Sequence, residues 1–278
     1  MTAVSGARAG CRSRAHHGAA ILAGVAMLHA AALLTPRPSR AQDFAPPEPA
    51  GPSSSAAALL EHALPAGGTW RAELLTTSWL GVPGLVTRAV CATGGLRSVR
   101  AAAGWSQTGE TGAGWSGAAL ALGAAAPAGG AAVRVIARRD LEDAAHEDRD
   151  GLEVGGGAWL SAGARFVVWA SAPQLWTPGA PPPLPRALTA GVAADAEGLR
   201  CWFEREAPAR SGEESGTHAA GVALRLEAAR VWVEGRGRPL RAGFGVTVRA
   251  ISVRVLSHPR LGDTVTLSLA FPSRAAPP

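Results

Sequence analysis

Three consecutive stretches, RAGFGVTV (241–248), ISVRVLSH (251–258) and TVTLSLAF (264–271), decide the fold. In the first, Ala242, Phe244, Val246 and Val248 alternate with Arg241, Gly243, Gly245 and Thr247. After the Arg249-Ala250 step, Ile251, Val253 and Val255 alternate with Ser252, Arg254 and Leu256. Val265, Leu267, Leu269 and Phe271 then alternate with Thr264, Thr266, Ser268 and Ala270. A period of two puts one set on each face of a sheet. One face is almost wholly apolar; the other carries Arg, Thr and Ser. Apolar-out, polar-in strands that close on an aromatic are the pattern of a membrane-spanning barrel.

The other end of the chain sets the compartment. Residues 1–41 read as a secretory leader, with Arg8, Arg12 and Arg14 before an apolar run from Gly18 to Leu34. Ser39-Arg40-Ala41 presents small residues at the positions a signal peptidase reads, so cleavage is expected after Ala41. An uncleaved anchor is the alternative, although the run is slightly short for a spanning helix. No later stretch is long and apolar enough for a transmembrane helix, so a membrane form of this chain must be a closed barrel.

The formal charge of +6 belongs to the leader. Of 27 basic residues, five arginines (8, 12, 14, 37 and 40) fall within it, leaving 22 against 21 acidic ones. A near-neutral mature chain gives no footing for nucleic-acid binding. The chain has no Lys, Tyr or Asn, a composition that suggests GC-rich coding. The missing Tyr therefore says little about an interfacial belt. Cys91 and Cys201 are 110 residues apart and do not specify a disulfide, although export would permit one. Each lies in the apolar register of its strand, as a small buried or lipid-facing residue.

Residues 42–69 are rich in Pro, Ala and Ser, with one short helical possibility at 56–63; they read as a periplasmic linker or a small plug. From Trp70 onward the chain shows short alternating segments broken by Gly, Pro, Asp and Ser. Fourteen strands are predicted, at 70–80, 85–92, 97–106, 114–123, 131–139, 153–161, 165–171, 186–194, 199–205, 218–227, 230–234, 240–248, 251–258 and 264–271. The fold class is all-β: a closed antiparallel transmembrane β-barrel of about 14 strands (12–14), spanning residues 70–271, with 272–278 as a tail. The long connections (140–152, 172–185 and 206–217) all fall on odd-numbered loops, and the even-numbered ones are mostly tight. A barrel with both ends in the periplasm keeps its short turns on that side.

The charges are expected on the polar face. Arg88, Arg100, Arg134, Arg138, Arg200, Arg225, Arg230, Arg241, Arg249 and Arg254 are placed opposite the apolar register, with Glu204, Glu227 and Glu234. A soluble sheet with arginines facing water is the alternative. Trp70, Trp79, Trp105 and Trp159 fall near strand ends, as an interfacial belt or as core residues. Segments 165–171, 199–205 and 230–234 are shorter than the ~9–11 residues a membrane strand needs.

The segment Val253 to Phe271, with Ser257-His258-Pro259-Arg260-Leu261-Gly262 at its turn, resembles the last hairpin of PorV/PorQ-type bacterial outer-membrane barrels. These are relatives of the fatty-acid-transporter (FadL-like) barrels. The resemblance covers about 30 residues and implies a non-catalytic porin-like, hydrophobic-compound-transporting or secretion-associated protein of the cell outer membrane. It makes Val265, Leu267, Leu269 and Phe271 the terminal strand read by the barrel-assembly machinery. It also implies outer-membrane lipid and a secretion-system component as partners. In this chain Pro272–Pro278 follow the closing aromatic.

The polar run Arg138-Arg139-Asp140 through His146-Glu147-Asp148-Arg149-Asp150 has the carboxylates for a hard cation but not the spacing of a calcium loop. It reads as a solvated outer loop, as does 206–217. His62, His146, His218 and His258 form no metal pair. His218 with Ser215, or His258 with Ser257, is the nearest approach to the dyad of a barrel-embedded lipid hydrolase. No catalytic, cofactor-binding or metal residues are assigned, and no cofactor is expected. A secreted soluble all-β binding domain and the lipid hydrolase stand as alternatives to the transport barrel.

Overall fold

The computed structural model describes residue 44 and residues 51–66, 70–110, 113–140, 151–176, 187–208, 217–237 and 240–272. The expected leader with Ala41, most of the acidic loop after Asp140, Ser215 and His146 lie outside the described residues.

The strands are β1 (Arg71–Ser78), β2 (Val86–Leu96), β3 (Val99–Glu110), β4 (Ala113–Ala126), β5 (Gly129–Asp140), β6 (Gly151–Ala162) and β7 (Phe166–Trp176). They continue as β8 (Ala187–Ala196), β9 (Leu199–Pro208), β10 (Thr217–Arg225), β11 (Ala229–Arg236), β12 (Arg241–Val248), β13 (Ile251–His258) and β14 (Gly262–Pro272). Each pairs antiparallel with its neighbours in sequence, and β14 returns to β1 to close a barrel. The seam runs from Arg71 opposite Pro272 to Ser78 opposite Val265. Among the described residues every strand therefore has a neighbour on both sides.

The three stretches that opened the sequence form β12, β13 and β14, and their apolar sets meet in register. Phe244, Val246 and Val248 stand opposite Val255, Val253 and Ile251. Those three in turn face Val265, Leu267 and Leu269. The same outward face holds Leu74, Val90, Leu120, Leu122, Val133, Phe166, Phe203 and Val233, all exposed. In water so continuous an apolar surface would be a liability.

Several expectations change. Arg88 faces outward beside Val90, because β2 buries Thr87, Ala89 and Cys91 instead. Arg249 and Glu227 sit in turns and belong to neither face. Cys91 lies inside the wall and Cys201 outside it, so both are free thiols. Trp105 is outward but mid-strand, opposite Val90, and Trp159 points into the barrel; neither belongs to a belt. Trp79 donates its indole N–H to Thr87 Oγ1 at 2.7 Å. The three short segments lengthen to 11, 10 and 8 residues because cross-strand hydrogen bonds carry the pairing past the end of the apolar alternation.

Connections sort by end. Where the termini emerge, the turns are Arg97-Ser98, Pro127-Ala128, Gly163–Arg165, Glu197-Gly198, Leu226–Ala228 and Arg249-Ala250. Glu197 and Gly198 have φ of 44° and 90°, the doubled left-handed geometry of a tight type I′ hairpin. At the opposite end the strands are separated by longer intervals of sequence, from Asp140 to Gly151, Trp176 to Ala187 and Pro208 to Thr217. We call these the short-turn end and the loop end.

Candidate functional site

Eight strands enclose just enough room for their own side chains, so fourteen leave a lumen. Part of it is occupied by the segment that precedes β1. Within this segment α1 (Ala56–His62) starts at Ser55, whose hydroxyl accepts from Ala58 N–H, and stops where Ala63 turns left-handed at φ 52°. Ala56, Ala57, Leu59, Leu60 and Ala63 pack with Phe44 against Leu75, Ala89, Ala102, Ala119, Ala132 and Ile136 of β1 to β5. The alanines of that wall are what leave space for a helix.

Polar contacts fix the segment along its length. Glu73, fully buried, accepts from Ser55 Oγ at 2.8 Å and from Ala57 N–H at 3.3 Å. Arg71 balances its charge at 2.7 Å. The buried Arg134 donates to the Leu60 carbonyl and Trp159 Nε1 to the Pro65 carbonyl. Arg100 Nε donates to Ala66 O at 3.1 Å. The Leu60 carbonyl is one of those that a helix end leaves without a partner. Glycine makes one approach possible: a Cβ on Gly157 would stand 2.6 Å from His62 O and 2.8 Å from Ala63 O.

The rest of the wall is built of charge and indole. Arg254 grips Glu234 through two bonds of 2.6 and 2.7 Å, a bidentate geometry. Arg236 reaches Glu204 at 3.0 Å, and Arg138 pairs with Glu153. Nearer the short-turn end, Trp169, Trp202 and Trp232 lie buried over glycines directly opposite them, Gly191, Gly221 and Gly245. His62 stands between the two regions. Desolvation above all, then Arg134, Arg236 and Arg254, hold its pKa down at about 3.

Val265, Leu267, Leu269 and Phe271 all point outward on β14. His218 also faces outward, its ring stacked on Phe203 at 5.7 Å. His258 Nδ1 accepts from the Arg260 and Leu261 amides at 3.2 and 3.1 Å, and Ser257 projects from the opposite face. Neither histidine is therefore poised against a described serine. Among the described residues no three His, Cys, Asp or Glu side chains converge as a metal site. The segment's docking partners escaped sequence reading. The weak signals present were a Ser before a short Ala/Leu run and an isolated Glu73 in an apolar strand.

No family model matches the sequence, and no curated protein matches it. Among solved structures the chain is similar to porins. A triple mutant of Rhodopseudomonas blastica porin aligns at 10% identity and TM-score 0.41, covering 73% of this chain and 97% of that one. Another mutant of the same porin aligns at 9% identity and TM-score 0.41, covering 73% and 98%.

Proposed function

We propose that this chain is a porin-like bacterial outer-membrane barrel whose lumen is narrowed by the segment around α1, and that it passes small solutes. The observation that carries this reading is the division of side chains between the two faces of a closed wall. Apolar residues face out, while Glu73, Arg134, Glu153, Glu204 and Glu234 are buried inside. A charge on the lipid side would cost roughly 2–4 kcal/mol at mid-membrane. Among the described strand residues, the charged groups that do face outward are Arg88, Arg139, Arg205 and Asp263, all near the loop end. There a long side chain can reach the headgroup layer.

In this reading the short turns face the periplasm and the long loops the exterior. Export would use residues 1–41 with cleavage after Ala41. Insertion would use the barrel-assembly machinery reading Val265, Leu267, Leu269 and Phe271, with outer-membrane lipid against the apolar face. The likeness of residues 253–271 to PorV/PorQ-type barrels favours transport or a secretion-associated role over catalysis.

Extraction and gel migration test the membrane assignment. The protein should need detergent for extraction and should migrate faster unboiled than boiled. Recovery in the soluble periplasmic fraction would sink it. Reconstituted barrel should admit small solutes in liposome swelling, and a variant lacking residues 51–66 should admit them faster.

A further inference from the structure

From β8 to β13 the outer face of the wall is apolar apart from Ser257 and one basic pair. Arg205 on β9 and His218 on β10 face outward and stand directly opposite each other in the ladder. Opposed residues on one face of an antiparallel pair hold their Cβ atoms roughly 4.5–5.5 Å apart. Among the described strand residues of this sector no acidic side chain shares that face. Neither Arg205 nor His218 has a hydrogen-bond or ion-pair partner for its side chain among the described residues. Ala190, on the other side of Arg205, is too small to shield the guanidinium.

The other outward arginines differ. Arg88 lies between Thr76 and Gln107, in a sector whose loop end also bears Asp263. Arg139 interacts within the protein. At Arg205 the company is aromatic instead: Phe203, two residues nearer the middle of β9, stacks on the His218 ring at 5.7 Å and 28°. The stack holds the imidazole against the wall and uses neither of its nitrogens. Below the pair the face continues as Val192, Phe203, Val222, Val233 and Phe244. Donors at the loop end over an apolar slope have the same division as a lipid, with its phosphate above its acyl chains. A guanidinium fork matches phosphate oxygens in bidentate fashion, and basic residues at a bilayer surface attract anionic headgroups.

We infer that Arg205 and His218 form a docking site for the phosphate of a lipid headgroup in the leaflet that meets the loop end. The inference rests on the barrel reading and deepens it by naming the lipid chemistry and its place on the wall. Lipid A, a diphosphorylated glycolipid, is the probe, and the same lipid stripped of phosphate is its control. Each is titrated into the protein purified from membranes in neutral detergent, and bound lipid is counted by native mass spectrometry. The phosphorylated lipid should be retained in preference, and less so as ionic strength rises. Arg205→Gln should weaken its retention about tenfold, and adding His218→Gln about threefold more. Arg88→Gln should leave it unchanged. All three variants should keep heat-modifiable migration, which separates a lost headgroup contact from a lost fold.

Equal retention of the two lipids by a heat-modifiable barrel overturns the site and leaves the barrel reading intact. So does a double variant that retains the phosphorylated lipid as the parent does. A loss on Arg88→Gln as large as that on Arg205→Gln also overturns it, since the binding would then follow total charge and not this pair. Protein recovered soluble without detergent overturns the barrel reading and the lipid site with it.

Discussion

The lumen wall from β1 to β5 and the wall from β9 to β13 face the same interior and solve it differently. The first is lined with alanine, and a helix lies against it: Leu60 and Ala57 are fully buried among Ala89, Ala102, Ala119 and Ile136. Its charged residues reach the insert, Glu73 holding the start of α1 while paired with Arg71, and Arg134 donating to the Leu60 carbonyl. The second is lined with charges that satisfy one another across strands, Arg254 with Glu234 and Arg236 with Glu204. Small side chains create volume for an insert, whereas long paired ones fill volume themselves. The contrast makes the first half separable, because its insert can in principle leave. The second half is integral to the wall.

Cutting into the integral half should do the most damage. Arg254→Met strands the buried Glu234 carboxylate and should cost the barrel about 3–5 kcal/mol in urea unfolding followed by tryptophan fluorescence. Adding Glu234→Leu should restore most of that stability; failure to do so would mean that the pair is not a closed unit. In the separable half, Leu60→Ala should cost about 2–5 kcal/mol, but locally. Hydrogen exchange in 51–66 should accelerate while the barrel's own unfolding midpoint stays put. A matching fall in the midpoint would break the distinction.

Proton uptake probes the boundary between the halves. Docked His62 stays neutral down to about pH 3, whereas a released imidazole takes a proton below about 6.5. Release is therefore favoured as pH falls through that window, and docking holds fully above it. Protease cleavage within 51–66 should rise on acidification in the parent and rise less in His62→Gln. Smallest of all, Ser55→Ala removes the helix cap and one bond to Glu73, and should weaken docking by roughly 1 kcal/mol on the same exchange assay.

The sorting of loops and the faces of β12 to β14 were legible because both depend on neighbours in sequence. Arg88 was misassigned for a related reason: β2 offers Ala89 and Cys91 on one face and Val90 and Ala92 on the other. Alternation alone cannot then say which side is lipid. The docking of α1 was hidden because its contacts join residues far apart, Ser55 to Glu73 and Leu60 to Arg134. Pro65 to Trp159 is a further such pair.

By itself, then, the sequence determined an all-β chain of about fourteen strands, its closing hairpins and the parity of its connections. These follow from side-chain period and turn chemistry, which are local. Only the tertiary structure decided which half of the lumen takes the helix, which charges pair, and that Arg205 and His218 stand side by side on the outer face. Closure of the barrel brings those groups together, and a one-residue change of register would have turned each of them to the other side of the wall.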